Sequence, residues 1–276
     1  MRFHQVTETS YFNERSLLRI VHREQVVALS GARALLMQAA HPVAFEGFLA
    51  QTGSLSEPYE RLARTARVLD TIGFGTRAQA DSATARVRAI HRRVRGELTE
   101  SAGRFPAGTP YAADDPELLL WILGCLANSA QTVYERYVRR LSARERESYW
   151  QDYRTIGRLF GLKASQMPAS HADFHAYMNE MIASDELFVT DAARELATQI
   201  VLHPPVSLAT RPLLELANFI TVGLLPARIR RAYRLSWDPA RELALRSGAE
   251  YAKRFVVPLL PARLRLVSSA RNATAT

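Results

Sequence analysis

Asp114-Asp115-Pro116-Glu117-Leu118-Leu119-Leu120-Trp121 opens the stretch that decides the fold, and its apolar run continues to Val138. An aspartate side chain can accept from the free N–H groups of a first helical turn. Proline suits that turn because its missing N–H is not needed there. Leu118 to Val138 is long and apolar enough for a central helix. The same signals recur outward from it. Ser142-Ala143-Arg144-Glu145 matches a capping box, and Ser170 to Asp173 repeats it with a shorter carboxylate. Asp238-Pro239 opens another helix. Thr190 or Asp191 can cap one running through Leu202, stopped by His203-Pro204-Pro205. No series of alternating strands and no hairpin signature stands out. These signals predict an all-α, multi-helix fold in a single domain over residues 1–276. Loops are expected near Gln51–Glu57, Phe74–Ala80, Gly96–Tyr111 and Pro204–Ser207, with a disordered small polar tail, Ser268–Thr276.

The chain's 276 residues, 47% of them hydrophobic, suffice for a sizeable core. Cys125 is the only cysteine, which excludes an internal disulfide framework and a cysteine-based zinc site. A reducing, cytoplasmic compartment is the simplest reading. The first twenty residues carry Arg2, His4, Glu8, Glu14, Arg15 and Arg19 without an apolar run, so no signal peptide is expected. No stretch reaches the roughly 20 apolar residues of a membrane span. The net charge is +9, but the cations are spread from Arg2 to Arg271 and only Lys163 and Lys253 are lysines. That dispersal disfavours nucleic-acid binding and leaves peripheral contact with a membrane surface open.

Chemistry concentrates in Arg61-Leu62-Ala63-Arg64-Thr65 and in Arg88-Ala89-Ile90-His91-Arg92-Arg93-Val94-Arg95. The second stretch is expected on a helix from about Ser82 to Leu98, with Ala83, Val87, Ile90 and Val94 as its core stripe. Residues three and four apart share a helix face, so His91 stands between Arg88 and Arg95 at the edge of that stripe. One imidazole between two guanidiniums suits a haem, which brings one metal and two propionates. Taken alone, this helix fits a hydrogen-bonded boundary histidine beside solvated arginines better. On a helix from Tyr59 to Ile72, Leu62, Ala66 and Leu69 form the stripe, and Arg61 and Thr65 share an edge. They could hold an anionic group and donate a hydrogen bond, or be plain helix surface. Gly31 to His41 reads as a helix of small and apolar residues ending before Pro42. His41 there faces a pocket or meets the helix's last carbonyls. His171 and His175, four apart, form a candidate two-histidine metal face without the glutamate of a zinc-protease motif. Phosphate loops, dinucleotide glycine motifs and nucleophile elbows are absent from the sequence.

In order and spacing, several pieces together resemble the MpaB-type oxygenase family, whose catalytic domain is shared with rubber oxygenase. They are Arg33 to Pro42, Arg61 to Thr65, Arg88 to Gly96, Tyr111 to Pro116 with Leu119 to Trp121, Tyr153 to Gly161, and Leu224 to Pro226. The resemblance runs from about Arg15 to Trp237. It implies a globin-like helical bundle binding haem b, with His91 as the iron ligand. It implies cofactor contacts from Arg61, Thr65, Arg88 and Arg95. It further implies dioxygen and an apolar, unsaturated, lipid-like substrate, with C=C cleavage as the suggested reaction. Arg64 stands where the rubber oxygenase has a lysine able to cap the iron. A guanidinium stays protonated and is a poor ligand, so ligation on that side is expected to differ, with His41 as the alternative; His41, Arg64 and Thr65 are the candidates for the catalytic side. A haem carrier or gas sensor, or a haem-free helical scaffold with a basic binding surface, are the alternatives.

Overall fold

The computed structural model describes residues 10–52, 58–197 and 209–273, without the side chains of 50–52, 58–62 and 272–273. It is mostly helical, with fourteen α-helices among the described residues. The first five are α1 (Leu17–His22), α2 (Ser30–Ala39), α3 (Pro42–Thr52), α4 (Pro58–Phe74) and α5 (Arg77–His91). Strands β1 (Arg95–Glu97) and β2 (Pro110–Ala112) follow, paired antiparallel with Gly96 opposite Tyr111. Next come α6 (Pro116–Tyr137), α7 (Ala143–Leu159), α8 (His171–Ala183) and α9 (Asp191–Leu196). The chain closes with α10 (Arg211–Leu224), α11 (Ala227–Ala232), α12 (Pro239–Tyr251), α13 (Ala262–Arg265) and α14 (Ser268–Ala273).

The expected central helix is α6. Asp115 caps it, its carboxylate accepting from Glu117 N–H at 2.8 Å and Leu118 N–H at 3.2 Å. Ser142, Ser170, Thr190 and Asp238 cap α7, α8, α9 and α12 as read from the sequence. The onward course of α9, with His203 and the Pro204–Ser207 loop, lies outside the described residues. Two expectations change. Ser268–Ala273 is helical, and Ser269 Oγ donates to Asp70 Oδ1 of α4 at 2.6 Å, so tertiary contact holds a segment too polar to read as ordered. The short β1–β2 ribbon also departs from an all-helical plan.

α6 packs along α2 and against α1, α7, α8 and α12. Small residues on α6, Gly124, Cys125, Ala127, Ser129 and Ala130, are all buried and allow close approach. Around them lie Leu36, Met37, Trp121, Tyr149, Trp150, Tyr153 and Phe174. Trp150 stacks on Phe174 with ring centroids 4.0 Å apart.

Arg33 sits inside this core, 4% exposed. Its Nη1 donates to Ser129 Oγ of α6 at 2.6 Å, and its Nε donates to the Leu224 carbonyl at the end of α10 at 2.8 Å. Burial lowers its pKa to about 10, so it remains a cation at neutral pH. Burying a charge costs several kcal/mol unless it is well hydrogen-bonded. The negative end of the α10 dipole and the two acceptors offset that cost. The device recurs. Arg230 donates to the Val222 and Gly223 carbonyls of the same helix end. Arg19, also buried, donates to Gly73 and Phe74 at the end of α4, and Arg194 to Ala232 at the end of α11. Helix ends leave carbonyls without partners, and a guanidinium fork can serve two at once.

Replacing Arg33 with Lys keeps the charge but loses the fork. The expected loss is about 2 kcal/mol, from one buried acceptor left unsatisfied. Urea unfolding should show a lower midpoint with unchanged slope, and an unchanged midpoint would show that the tie carries no stability.

Candidate functional site

α5 sets the position of His91. Thr76 Oγ1 accepts from Gln79 N–H at 3.2 Å, and Gln79 Oε1 accepts from Thr76 N–H at 2.9 Å, a capping box that starts the helix at Arg77. Ala80 and Thr84 are its buried residues. Val87 and His91, half-buried, follow seven and eleven residues after Ala80, on the same face. The inward stripe is therefore Ala80–Thr84–Val87–His91, not Ala83–Val87–Ile90–Val94, and Ile90 is 50% exposed. His91 stands in the middle of the inward face rather than at its edge.

The helix does not reach Leu98. Arg93 N–H donates to Ile90 O and Val94 N–H to His91 O, closing the end, and Arg95 enters β1. Glycine is a poor helix residue, and a Cβ at Gly96 would lie 2.5 Å from Tyr111 Oη, so the close β1–β2 approach needs glycine here. Arg95 is consequently out of register with Arg88 and His91. Its Nη2 instead donates to both carboxylate oxygens of Asp114, at 3.1 and 2.9 Å.

Three chain segments meet around His91 in a cleft of about 230 Å³. α5 contributes Arg88, His91 and Arg92, the start of α6 contributes Asp114, Pro116 and Leu119, and the end of α7 contributes Phe160, Gly161 and Leu162. The last wall is a helix-terminating turn. Gly161 N–H donates to Arg158 O and Leu162 N–H to Gly157 O, each at 3.0 Å, a Schellman pattern. Gly161 has φ +104°, a conformation that side chains disfavour. The cleft combines one imidazole, two guanidiniums, one carboxylate and an apolar wall. It can hold a group that offers both an apolar face and an anionic edge.

The other candidates lie elsewhere. Arg64 and Thr65 are exposed on α4 and do not line the cleft. Arg61 also belongs to α4, and its side chain lies outside the described residues. His41 does not line the cleft either. It is 6% exposed at the start of α3, where Nδ1 accepts from Ala44 N–H at 3.4 Å. It thus serves the helix that Pro42 begins, rather than the end of α2. Its ring lies 5.4 Å from Phe105, with Nε2 3.9 Å from Glu186, whose carboxylate pairs with Arg104. Burial holds His41 down at about 4, so it is neutral at neutral pH. His171 Nε2 lies 3.1 Å from Gln131 Oε1, and His175 Nδ1 lies 3.1 Å from Asn179 Nδ2. Among the described residues no three potential ligands gather to hold a metal ion. Arg92 and the Phe160–Leu162 wall were not singled out as site residues; a glycine directly after a long helix was the available signal.

With this geometry in place, comparison with known proteins defines the class. The family described as ER-bound oxygenase mpaB/B'/Rubber oxygenase, catalytic domain, matches residues 18–254. The chain belongs to this oxygenase family. It is similar to the uncharacterized protein Mb2261 of Mycobacterium bovis and to the uncharacterized protein Rv2237 of Mycobacterium tuberculosis. Each is 24% identical over 216 residues, covering 75% of this chain and 80% of the relative. No solved structure matches the chain. Among the described residues no helix is long and apolar enough to cross a membrane.

His41 yields a test by titration. An unfolded histidine takes up a proton near pH 6.5, whereas folded His41 resists until about pH 4. Between those values the unfolded state binds more protons, so stability falls as pH drops through that window. Asparagine can still cap α3 but does not titrate. His41→Asn should therefore reduce the slope of unfolding free energy against pH by about one proton between pH 6 and pH 4.5. Equal slopes in the two proteins would place the imidazole in contact with water.

Proposed function

We propose that this protein is a haem-dependent oxygenase, with His91 as the iron ligand and an apolar, unsaturated, lipid-like molecule as substrate. The observation that carries the proposal is the inward placement of His91, in a cleft with Arg88 and Arg92, within a chain of an oxygenase family. The donor set suits haem. A neutral imidazole nitrogen ligates iron, guanidiniums pair with propionate carboxylates, and Leu119, Phe160 and Leu162 supply apolar surface. Ligand pockets run to about 300–1,000 Å³, so the 230 Å³ cleft would have to widen to take a cofactor of this size.

When bound, haem supplies dioxygen activation, with oxidative C=C cleavage as the proposed outcome. The chain's residues hold and tune. His91 would supply the nitrogen that ligates the iron. Arg88 and Arg92, which line the cleft, would pair with the cofactor's carboxylates. Arg95 acts through Asp114, fixing the carboxylate that lines the opposite wall. Arg64 and Thr65 remain candidates for the substrate side, as cation and hydroxyl donor on α4. His41, neutral and buried beside Phe105, is at most a supporting group there.

The test is an absorption spectrum of protein expressed with a haem precursor, before and after dithionite. A Soret band at one haem per chain is expected, and His91→Ala should abolish it. Arg88→Ala should speed haem loss without preventing loading. Haem-loaded protein should consume dioxygen with unsaturated lipids. Loading without consumption would make the protein a carrier or sensor, and a colourless protein that takes up no haemin would end the proposal.

A further inference from the structure

The C-terminal segment carries an apolar surface that nothing among the described residues covers. α12 continues through a π-turn at Ala252–Val256 and a 3₁₀ turn at Val257–Leu259. One side of this segment faces in. Lys253 Nζ donates to Glu135 O of α6 at 3.3 Å, and Val257 is buried. The other side faces out. Tyr251 and Phe255, 5.4 Å apart, are 62% and 55% exposed, and Leu259 is 80% exposed. Leu264, just past Pro261, is 56% exposed. Leu259 stands at the tip of a turn between Pro258 and Pro261, which presents an apolar side chain on a stiff backbone.

Arg246 and Arg254 lie beside Tyr251 and Phe255, and Arg263 directly precedes Leu264, while Arg241 and Arg265 pair with Asp238 and Glu24. From Pro239 to Ala273 the chain has seven Lys and Arg and only two carboxylates. Arg246 and Arg254 flank a shallow groove of about 420 Å³ beside Tyr251 and Phe255. Their partners, Glu242 and Glu250, are surface carboxylates one turn away. Arg263 is exposed and has no ion-pair partner among the described residues. Apolar tips with guanidiniums around them match one chemistry, a lipid surface with acyl chains below and phosphates above. A nucleic-acid backbone would use the arginines and leave Leu259 idle.

We infer that the segment from Tyr251 to Leu264 docks the protein onto anionic lipid bilayers, inserting Phe255 and Leu259. The surface stands apart from the His91 cleft and does not depend on the haem proposal.

The experiment is co-sedimentation of the full chain with vesicles of phosphatidylcholine, with and without phosphatidylglycerol. Binding should require phosphatidylglycerol and weaken with added salt. Leu259→Asp should lower the partition coefficient about tenfold, since it removes the leucine's contact with the acyl chains. Arg263→Glu should lower binding to anionic vesicles alone. Both positions are exposed, and circular dichroism melts should match the unmodified protein. Unchanged binding by Leu259→Asp would overturn the inference. So would sedimentation equilibrium showing a dimer that Leu259→Asp splits, with no vesicle binding, because a second copy would then cover the face.

Discussion

Carbonyl groups at buried helix ends set the main constraint on this fold. Each α-helix leaves its last carbonyls without intrahelical donors, and several helices here end inside the molecule. Guanidiniums answer that need. Arg33 is the most demanding case, a cation almost without solvent contact that joins α2 to α6 and to the end of α10. Arg230 closes the same end, while Arg19 and Arg194 close α4 and α11. An arginine-rich composition that looks like surface charge is therefore partly an internal scaffold.

The cleft is set by other contacts. Three chain ends converge on it: the last turn of α5, the capped start of α6 and the Schellman turn after α7. Each is locally determined. Asp115 holds α6 at its first turn, Gly161 lets α7 reverse, and the β1–β2 ribbon with the Arg95–Asp114 pair ties the exit of α5 to the entry of α6. The imidazole thus sits at a junction of well-defined backbone ends rather than in the middle of a bundle.

Much of the helical plan was legible because caps are local chemistry. Asp115, Ser142, Ser170 and Asp238 each announce a helix within four residues, and each does so in the structure. The end of α5 was not legible in the same way. Val94 and Arg95 continue a helical period, but the fold spends their backbone groups on the turn and on β1, a choice made by residues 110–112 far along the chain. The place of His41 was hidden for a related reason, since Pro42 ends one helix and begins another. The burial of Arg33 leaves no sequence mark, because a charged residue next to alanines reads as a helix edge. At the site, His91 and Arg88 could be picked out by type and spacing, whereas the α6 and α7 walls come from tertiary convergence.

The scarcity of lysine has a practical side. Lys253 Nζ is engaged with Glu135 O, while Lys163 is exposed and follows directly on Leu162 in the cleft wall. Lys163 is thus the more exposed of the two side-chain amines, one residue beyond the cleft. A fluorophore on the Lys163 amine would consequently stand beside the cleft without any engineered cysteine and report on what enters it.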